Sequence, residues 1–251
     1  MINKTKKMRE LIVRAANSAK HGHIPSALSI VEIMIAYSKI EKENDVLILS
    51  KGHGCLALYS LLVIQDHISE TELFNFGSRG NILGGHPDRN KLDKIYASTG
   101  SLGHGFPIAV GAAMARKILK TDGRVFCVVG DGETNEGTIW ESCMVASKNK
   151  LNNLVCIIDN NSSQIRSLQT IDLAEKFQAF GWEVWDIDGH DIKMISQAIT
   201  SWNPDKKPLV VIANTIKGKG IKEIENDMFA WHHRAPTDVE LERFREEIYE
   251  N

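Results

Sequence analysis

Two hydrophobic patterns alternate along the chain. Val46–Leu49, Val125–Val129, Leu154–Ile158 and Leu209–Asn214 are short, nearly unbroken apolar runs rich in Val and Ile, the pattern of strands buried on both faces. Glu183–Asp186 continues the series as a further strand. Between the runs, apolar residues recur every three or four positions, which predicts helices over Leu56–Gln65, Ile108–Lys120, Glu133–Lys148, Ile171–Phe180 and Ile192–Trp202. Ser26 is the expected N-cap of an earlier helix that carries Leu28, Val31 and Ile35 and ends near Lys39. Thr121-Asp122-Gly123 stops the helix before Val125. Buried strands separated by amphipathic helices mean parallel βαβ units. The expected fold class is therefore α/β, a doubly wound, mainly parallel sheet with helices on both faces. No repeat, low-complexity tract or linker divides the sequence, so a single domain over 1–251 is expected. A charged arm over about 1–10 and a helical tail over about 237–251 complete it.

Composition narrows the class. Hydrophobic residues make up 43% and charged residues 25% of the 251, as in ordinary globular proteins. Thirty basic against 32 acidic side chains leave a net charge of -2, with no basic excess to drive binding of a nucleic-acid backbone. The apolar runs are far shorter than the ~20 residues that span a bilayer, and Met1–Glu10 lacks an apolar signal core. Nucleic acid and membrane are excluded as main partners, and a cytoplasmic location is expected. Cys55, Cys127, Cys143 and Cys156 form no C-x-x-C pair, and Cys127 and Cys156 lie inside strand runs, so plain core thiols are expected.

In doubly wound sheets ligands bind at the carboxyl ends of strands. After the run ending at Val129 stands Gly130-Asp131-Gly132, whose glycines permit a tight turn and close approach of a ligand to the backbone. Free N–H groups at the following helix start suit a phosphate or diphosphate. Asp131 offers a hard oxygen of the kind Mg²⁺ or Ca²⁺ takes. After Ile158 comes Asp159-Asn160-Asn161, whose oxygens are placed to reach the same ion from the neighbouring strand end.

Gly130-Asp131-Gly132, a gap of 27 residues and Asn160-Asn161 together resemble the thiamine diphosphate fingerprint. Further segments resemble transketolase, in transketolase order. They are Gly22-His23-Ile24, Ser50-Lys51-Gly52-His53-Gly54, Gly84-Gly85-His86-Pro87-Asp88 and Ser98-Thr99-Gly100-Ser101-Leu102-Gly103. Gly130–Gly137, Ala179-Phe180-Gly181-Trp182, and Lys217-Gly218-Lys219-Gly220 followed by Ala230-Trp231-His232 continue the series, so the similarity runs from about Arg14 to Pro236. A complete transketolase is much longer, with a pyrimidine-binding module and a C-terminal domain. The chain resembles the N-terminal, diphosphate-binding subunit of a split transketolase.

That resemblance implies roles. Asp131, the Asn161 side chain and the Ser163 carbonyl would ligate Mg²⁺ or Ca²⁺. His53, His232, Gly130, Gly132 and Glu133 would contact the thiamine diphosphate, with Gly100, Ser101 and Leu102 lining the pocket for its rings. His23, His86 and His232 would surround the substrate oxygens, because ketol transfer needs groups that give and take a hydroxyl proton near neutral pH. Glu136 would couple to an activating glutamate supplied by a partner subunit that carries the pyrimidine module. The implied activity is transfer of a two-carbon ketol unit from a ketose phosphate to an aldose, in an α2β2 assembly, with each chain inactive alone. His21, His67 and His190 match no role, and Lys217–Gly220 is either a loop over the cofactor or a plain turn. Trp182, Trp185 and Trp202 are assigned to the core.

Three positions depart from the family pattern: Pro25 after His-Ile, His104 where glutamine is usual, and His233 where glycine is usual. They lie on the expected substrate side and leave room for an unusual sugar, for example a sulfonated or branched one. The α subunit of a 2-oxo acid dehydrogenase shares the Gly-Asp-Gly…Asn-Asn logic but lacks the Ser-Lys-Gly-His and Gly-Gly-His-Pro-Asp segments. A synthase joining pyruvate to glyceraldehyde phosphate is normally one long chain. A non-catalytic cofactor-binding remnant is the third class. A metal hydrolase on His21/His23 and His232/His233 is disfavoured, since no His-x-x-x-His or His-Glu-x-x-His pattern accompanies the pairs.

Overall fold

The computed structural model describes residues 3–165, 168, 172–203 and 207–250. Its centre is a five-stranded, all-parallel sheet built from β1 (Val46–Leu49), β2 (Val125–Gly130), β3 (Leu154–Asn160), β4 (Glu183–Asp188) and β5 (Leu209–Asn214), in the spatial order β1-β2-β3-β5-β4. Alternate residues of the central strands feed two separate cores. Phe126, Val128, Val155, Ile157 and Val211 face one side; Val125, Cys127, Val129, Cys156, Ile158 and Ile212 face the other. A strand covered on both faces has no polar side to show, which is why these runs read as continuous apolar segments.

On the first face pack α1 (Lys4–Ala19), α2 (Ile24–Leu28), α3 (Val31–Ile40), α4 (Cys55–Ile64), α5 (Glu70–Phe74), α9 (Ile192–Thr200), α10 (Lys222–Asn226) and α11 (Asp238–Glu250). On the second lie α6 (Gly105–Leu119), α7 (Gly137–Lys148) and α8 (Leu173–Ala179). The doubly wound parallel architecture is thus as expected. All four cysteines are buried free thiols. Burial pushes the Cys55 thiol up to about 12 and raises those of Cys127, Cys143 and Cys156, so none is a ready nucleophile.

Four local expectations are corrected. Residues 4–10 are not a charged arm but the first half of α1, capped by the Asn3 side chain accepting from Thr5 N–H at 3.1 Å. Met8, Leu11, Ile12, Ala15 and Ala16 form its buried stripe, which only begins at the eighth residue. Ser26 is not an N-cap: Pro25 sits in the first turn of α2 and Ser26 is buried within that helix, one residue pair before α3 begins anew. The helix expected over Glu133–Lys148 splits into a 3₁₀ turn (Gly132–Asn135), an extended Glu136 and α7, because Glu133 folds back onto the strand end. Ile171, the start of another expected helix, lies outside the described residues, and that helix runs over Leu173–Ala179. The tail does form a helix: Phe244 and Ile248 of α11 are buried, and Tyr249 O–H donates to Glu10 of α1 at 2.9 Å. Among the described residues no helix is long and apolar enough to cross a membrane.

Candidate cofactor and substrate site

Register builds the site. Gly130 pairs with Asp159 across β2 and β3, and Asp131 N–H donates to the Asp159 carbonyl at 3.1 Å, so the two strands end level. Asp131 is buried, and its Oδ1 accepts from Gly132 N–H at 2.8 Å and from the Ser163 hydroxyl at 2.7 Å. Its Oδ2 is buried with no hydrogen-bond partner among the described residues. A buried carboxylate oxygen without a partner is costly, and a cation is what would satisfy it. Asn161 stands beside it, its Oδ1 accepting from Ser163 N–H at 3.0 Å.

Asp159 does not join them, against expectation. Its carboxylate is fully buried and accepts from the Lys51 ammonium, the Ser29 hydroxyl, the Thr215 hydroxyl and Asn161 Nδ2. Because Asn161 gives its NH₂ to Asp159 at 2.7 Å, its carbonyl oxygen is left for the Asp131 side. Asn160 turns away too, donating from Nδ2 to Asn214 Oδ1 at 2.7 Å. Of the three residues after β3's apolar run, only Asn161 lines the cavity with Asp131.

These residues open on a cavity of about 330 Å³. It is lined by His23, His53, Gly100, Leu102, Gly130, Asp131, Gly132, Glu133, Asn161, Ser163 and His232, each of them expected, and also by Ser26, Lys51 and Lys217. Glu133 differs from its expected part: it is buried and pins the framework, accepting from Gly103 N–H at 2.9 Å, Gly130 N–H at 3.2 Å and the Ser50 hydroxyl. Burial raises its pKa. Gly103 has φ +78°, and a Cβ there would stand 2.6 Å from Glu136 Cβ, so this turn admits only glycine. At Gly132 the opposite holds. The nearest protein atom to a Cβ would be 3.9 Å away, so the protein's own packing leaves open the space that a phosphate would fill.

Three expected residues are not among the lining. Ser101 is exposed, and Glu136 is exposed at the start of α7. His86 is exposed at the mouth, its ring 3.3 Å from where a Cβ on Gly100 would stand. Its loop is held by the buried Tyr59, whose hydroxyl donates to the Gly84 and His86 carbonyls, each at 3.0 Å.

Burial and two lysines set the titration of the cavity's histidines. Burial first, then the neighbouring cations Lys51 and Lys217, pulls His53 down to about 2. Burial, then His233, His232, Lys217 and His86, pulls His23 down to about 3, and its Nδ1 is buried without a partner. Both imidazoles are neutral at pH 7. Burial and Lys51 lower the pKa of Lys217 to about 8, which leaves it mostly cationic at neutral pH. The Lys51 and Lys217 ammonium groups form an anion cradle beside the Asp131 carboxylate, whose Oδ2 has no partner among the described residues: groups that suit a phosphate and a hard cation together.

Sequence reading overlooked Lys51, quoted only within its motif, and Lys217, left between a lid and a turn. It also left out what holds Lys217. Gly218 N–H donates to the Pro25 carbonyl at 3.1 Å, and Ile216 N–H donates to His190 Nε2 at 2.8 Å. His190 Nδ1 in turn meets Glu32 at 2.9 Å, Glu32 pairs with Arg9 at 2.6 Å, and Arg9 Nε donates to the Lys219 carbonyl at 2.9 Å. No local sequence signal links residues 9, 32, 190 and 219. Trp182 and Trp202 are core residues, as assigned, while Trp185 is half-buried against the first core.

The fold and this cradle define a thiamine diphosphate-type site. Comparison with known proteins is specific: residues 2–248 match the family described as transketolase, thiamine diphosphate binding domain, and the chain belongs to the transketolase family. It is 38% identical to an apulose-4-phosphate transketolase subunit of Actinobacillus succinogenes, over 96% of this chain and 92% of that one. It is 35% identical to the 6-deoxy-6-sulfo-D-fructose transketolase subunit SqwG of Clostridium sp., over 92% of this chain and 90% of that one. Among solved structures, transketolase from Campylobacter jejuni superposes with a TM-score of 0.89 at 29% identity, covering 98% of this chain. The chain spans only 42% of that structure's length, so it corresponds to one part of a full-length transketolase.

Proposed function

We propose that this chain is the N-terminal subunit of a two-component transketolase, which moves a two-carbon ketol unit from a ketose phosphate to an aldose. Membership of the family and the naming of relatives of similar length as transketolase subunits support it. The observation that carries the site is the orphaned Asp131 Oδ2 in a cavity that Asn161 and two lysines also line. Asp131, Asn161 and Ser163, the last through its carbonyl, would hold Mg²⁺ or Ca²⁺. Lys217, Lys51, His53, His232 and Gly132 N–H would take the diphosphate, with Gly100, Ser101 and Leu102 toward the rings. When bound, thiamine diphosphate supplies the carbanion-stabilising centre.

The chain's own part is positioning and proton handling. Neutral His23 presents an unpartnered Nδ1 and accepts a hydrogen bond from a substrate hydroxyl; with its pKa near 3 it holds a proton poorly and orients rather than carries. His86 at the mouth and His232 are assigned the proton transfer at the hydroxyl next to the bond that breaks. The exposed apolar residues Leu102, Ile108, Met144 and Val145, on the site's rim and on α6 and α7, fit a partner surface. We assign that partner the pyrimidine module, reached through Glu136, in an α2β2 assembly in the cytoplasm. The sugar is left open by His233, Pro25 and His104, which flank His23 and the mouth. The relatives named for apulose 4-phosphate and sulfofructose make branched or sulfonated sugars the first candidates.

Mixing tests this directly. The chain is co-expressed with a pyrimidine-module partner and supplied with thiamine diphosphate and Mg²⁺, and two-carbon transfer from a panel of ketose phosphates and sulfonates is followed by mass spectrometry. Activity only in the mixture is expected. Activity of the chain alone, or no cofactor binding in the mixture, would overturn the proposal.

A further inference from the structure

His233 lies against His23 with ring centroids 3.8 Å apart and the rings tilted by 55°. His232 meets the same ring edge-on at 4.9 Å. One ring nitrogen from each of the three histidines lies within 4.8 Å of the other two. After burial, the main influences on His23 come from His233, His232, Lys217 and His86. His23 Nδ1 is buried and has no hydrogen-bond partner among the described residues.

We propose that His23, His232 and His233 form a binding site for a nitrogen-preferring divalent transition ion of the zinc class, at the mouth of the cofactor cavity and separate from the oxygen-lined Asp131 site. Nitrogen ligands of tetrahedral zinc lie roughly 3.3 Å apart, from bonds of about 2.0–2.1 Å. The nitrogens need to close by up to about 1.5 Å, and His232 and His233 are exposed side chains. The fourth position faces the cavity mouth and is left to water. The two sites differ in chemistry: three imidazoles select zinc, nickel or copper, whereas carboxylate, amide oxygen and phosphate select Mg²⁺. An ion held here occupies the lone pairs of His23 and His232. If those residues face the substrate, as proposed above, the ion inhibits transfer. Binding itself does not rest on that reading.

Zinc is the probe. Equilibrium dialysis of the chain against ZnCl₂ in excess Mg²⁺ is expected to retain one Zn²⁺ per chain with micromolar or tighter affinity. X-ray absorption is expected to show nitrogen at about 2.0–2.1 Å and no sulfur near 2.3 Å. His233→Gly, which removes one exposed ligand, is expected to weaken binding at least tenfold while leaving the thermal melt unchanged. In the assembled enzyme, Zn²⁺ is expected to inhibit the unsubstituted chain and to spare His233→Gly. Equal Zn²⁺ retention by His233→Gly, or sulfur in the shell, would overturn the site. Full Zn²⁺ binding without inhibition would keep the site and overturn the substrate-facing reading of His23 and His232.

Discussion

Asp159→Asn removes the carboxylate that pairs directly with the Lys51 ammonium. Both side chains are withdrawn from water, Lys51 at 1% and Asp159 at 0% exposure. The substituted amide can still accept from Ser29, Asn161 and Lys51 through its oxygen, while its NH₂ turns to the Thr215 hydroxyl. Shape and most hydrogen bonds therefore survive, and the isolated change is a buried ammonium without an anion. Breaking a buried pair from one side costs about 3–5 kcal/mol. For a chain of this size each kcal/mol is worth about 2–4 °C, so the melting temperature is expected to fall by about 6–20 °C. Lys51→Met in the same background removes the stranded charge, and the double variant is expected to regain at least half of the loss. Differential scanning calorimetry of the two single variants and the double reads this directly. A melt of Asp159→Asn within 2 °C of the parent (about 1 kcal/mol or less), or single losses that simply add in the double, would refute the ion-pair account.

Asp131→Ala in the assembled enzyme is expected to lower metal-dependent affinity for thiamine diphosphate by more than about 100-fold, beyond the 10–100-fold typical of residues that merely support a ligand; titration calorimetry checks it, and normal affinity would remove Asp131 from the ion site. His86→Ala is expected to slow transfer by about 10²–10⁴-fold while changing cofactor affinity less than about threefold, and the reverse pattern would move His86 out of the substrate role. His53 is held neutral in the fold far below its ordinary pKa of 6.5, so the unfolded chain binds the extra proton first. Its stabilising contribution is complete above pH 6.5 and is lost as pH falls below that value. Melting temperature is expected to decline from about pH 6.5 downward, and His53→Gln to flatten that limb. At lower pH a second loss follows from Glu32. Burial pushes its carboxyl up, but the His190 hydrogen bond and the Arg9 guanidinium outweigh it and hold the pKa below the ordinary 4.5. That stability is present above pH 4.5 and disappears as the carboxylate protonates, so Glu32→Gln is expected to melt less steeply with pH in this range.

Much of the scaffold was legible because both-face burial writes itself into continuous Val, Ile and Cys runs, and β1 and β5 match their expected bounds residue for residue. The glycine-flanked Asp131 and the trailing Asn161 were legible because short strands of one sheet end side by side. What escaped was decided across long distances. Asp159 reads as a ligand until Lys51, from another strand end, claims its carboxylate. His190 has no motif around it, yet its two ring nitrogens connect a strand-end loop to a helix. Glu133 looks like a ligand-facing helix residue, but three donors from two other segments turn it inward and break the helix that periodicity predicted.

The His190, Glu32 and Arg9 chain bears on how the molecule comes to be folded. Arg9 reaches the Lys219 carbonyl across 210 residues of sequence, and Lys51 reaches Asp159 across 108. Contacts of such separation close large loops and form late. Until β5 is laid into the sheet, the Lys217 loop has none of its three anchors and the cradle has no far wall. A nascent or partly folded chain therefore offers the cofactor nothing, and saturation at about 100-fold over its dissociation constant would add about 2.7 kcal/mol to the completed state alone. Cofactor supply would then govern the lifetime of the finished protein together with its activity.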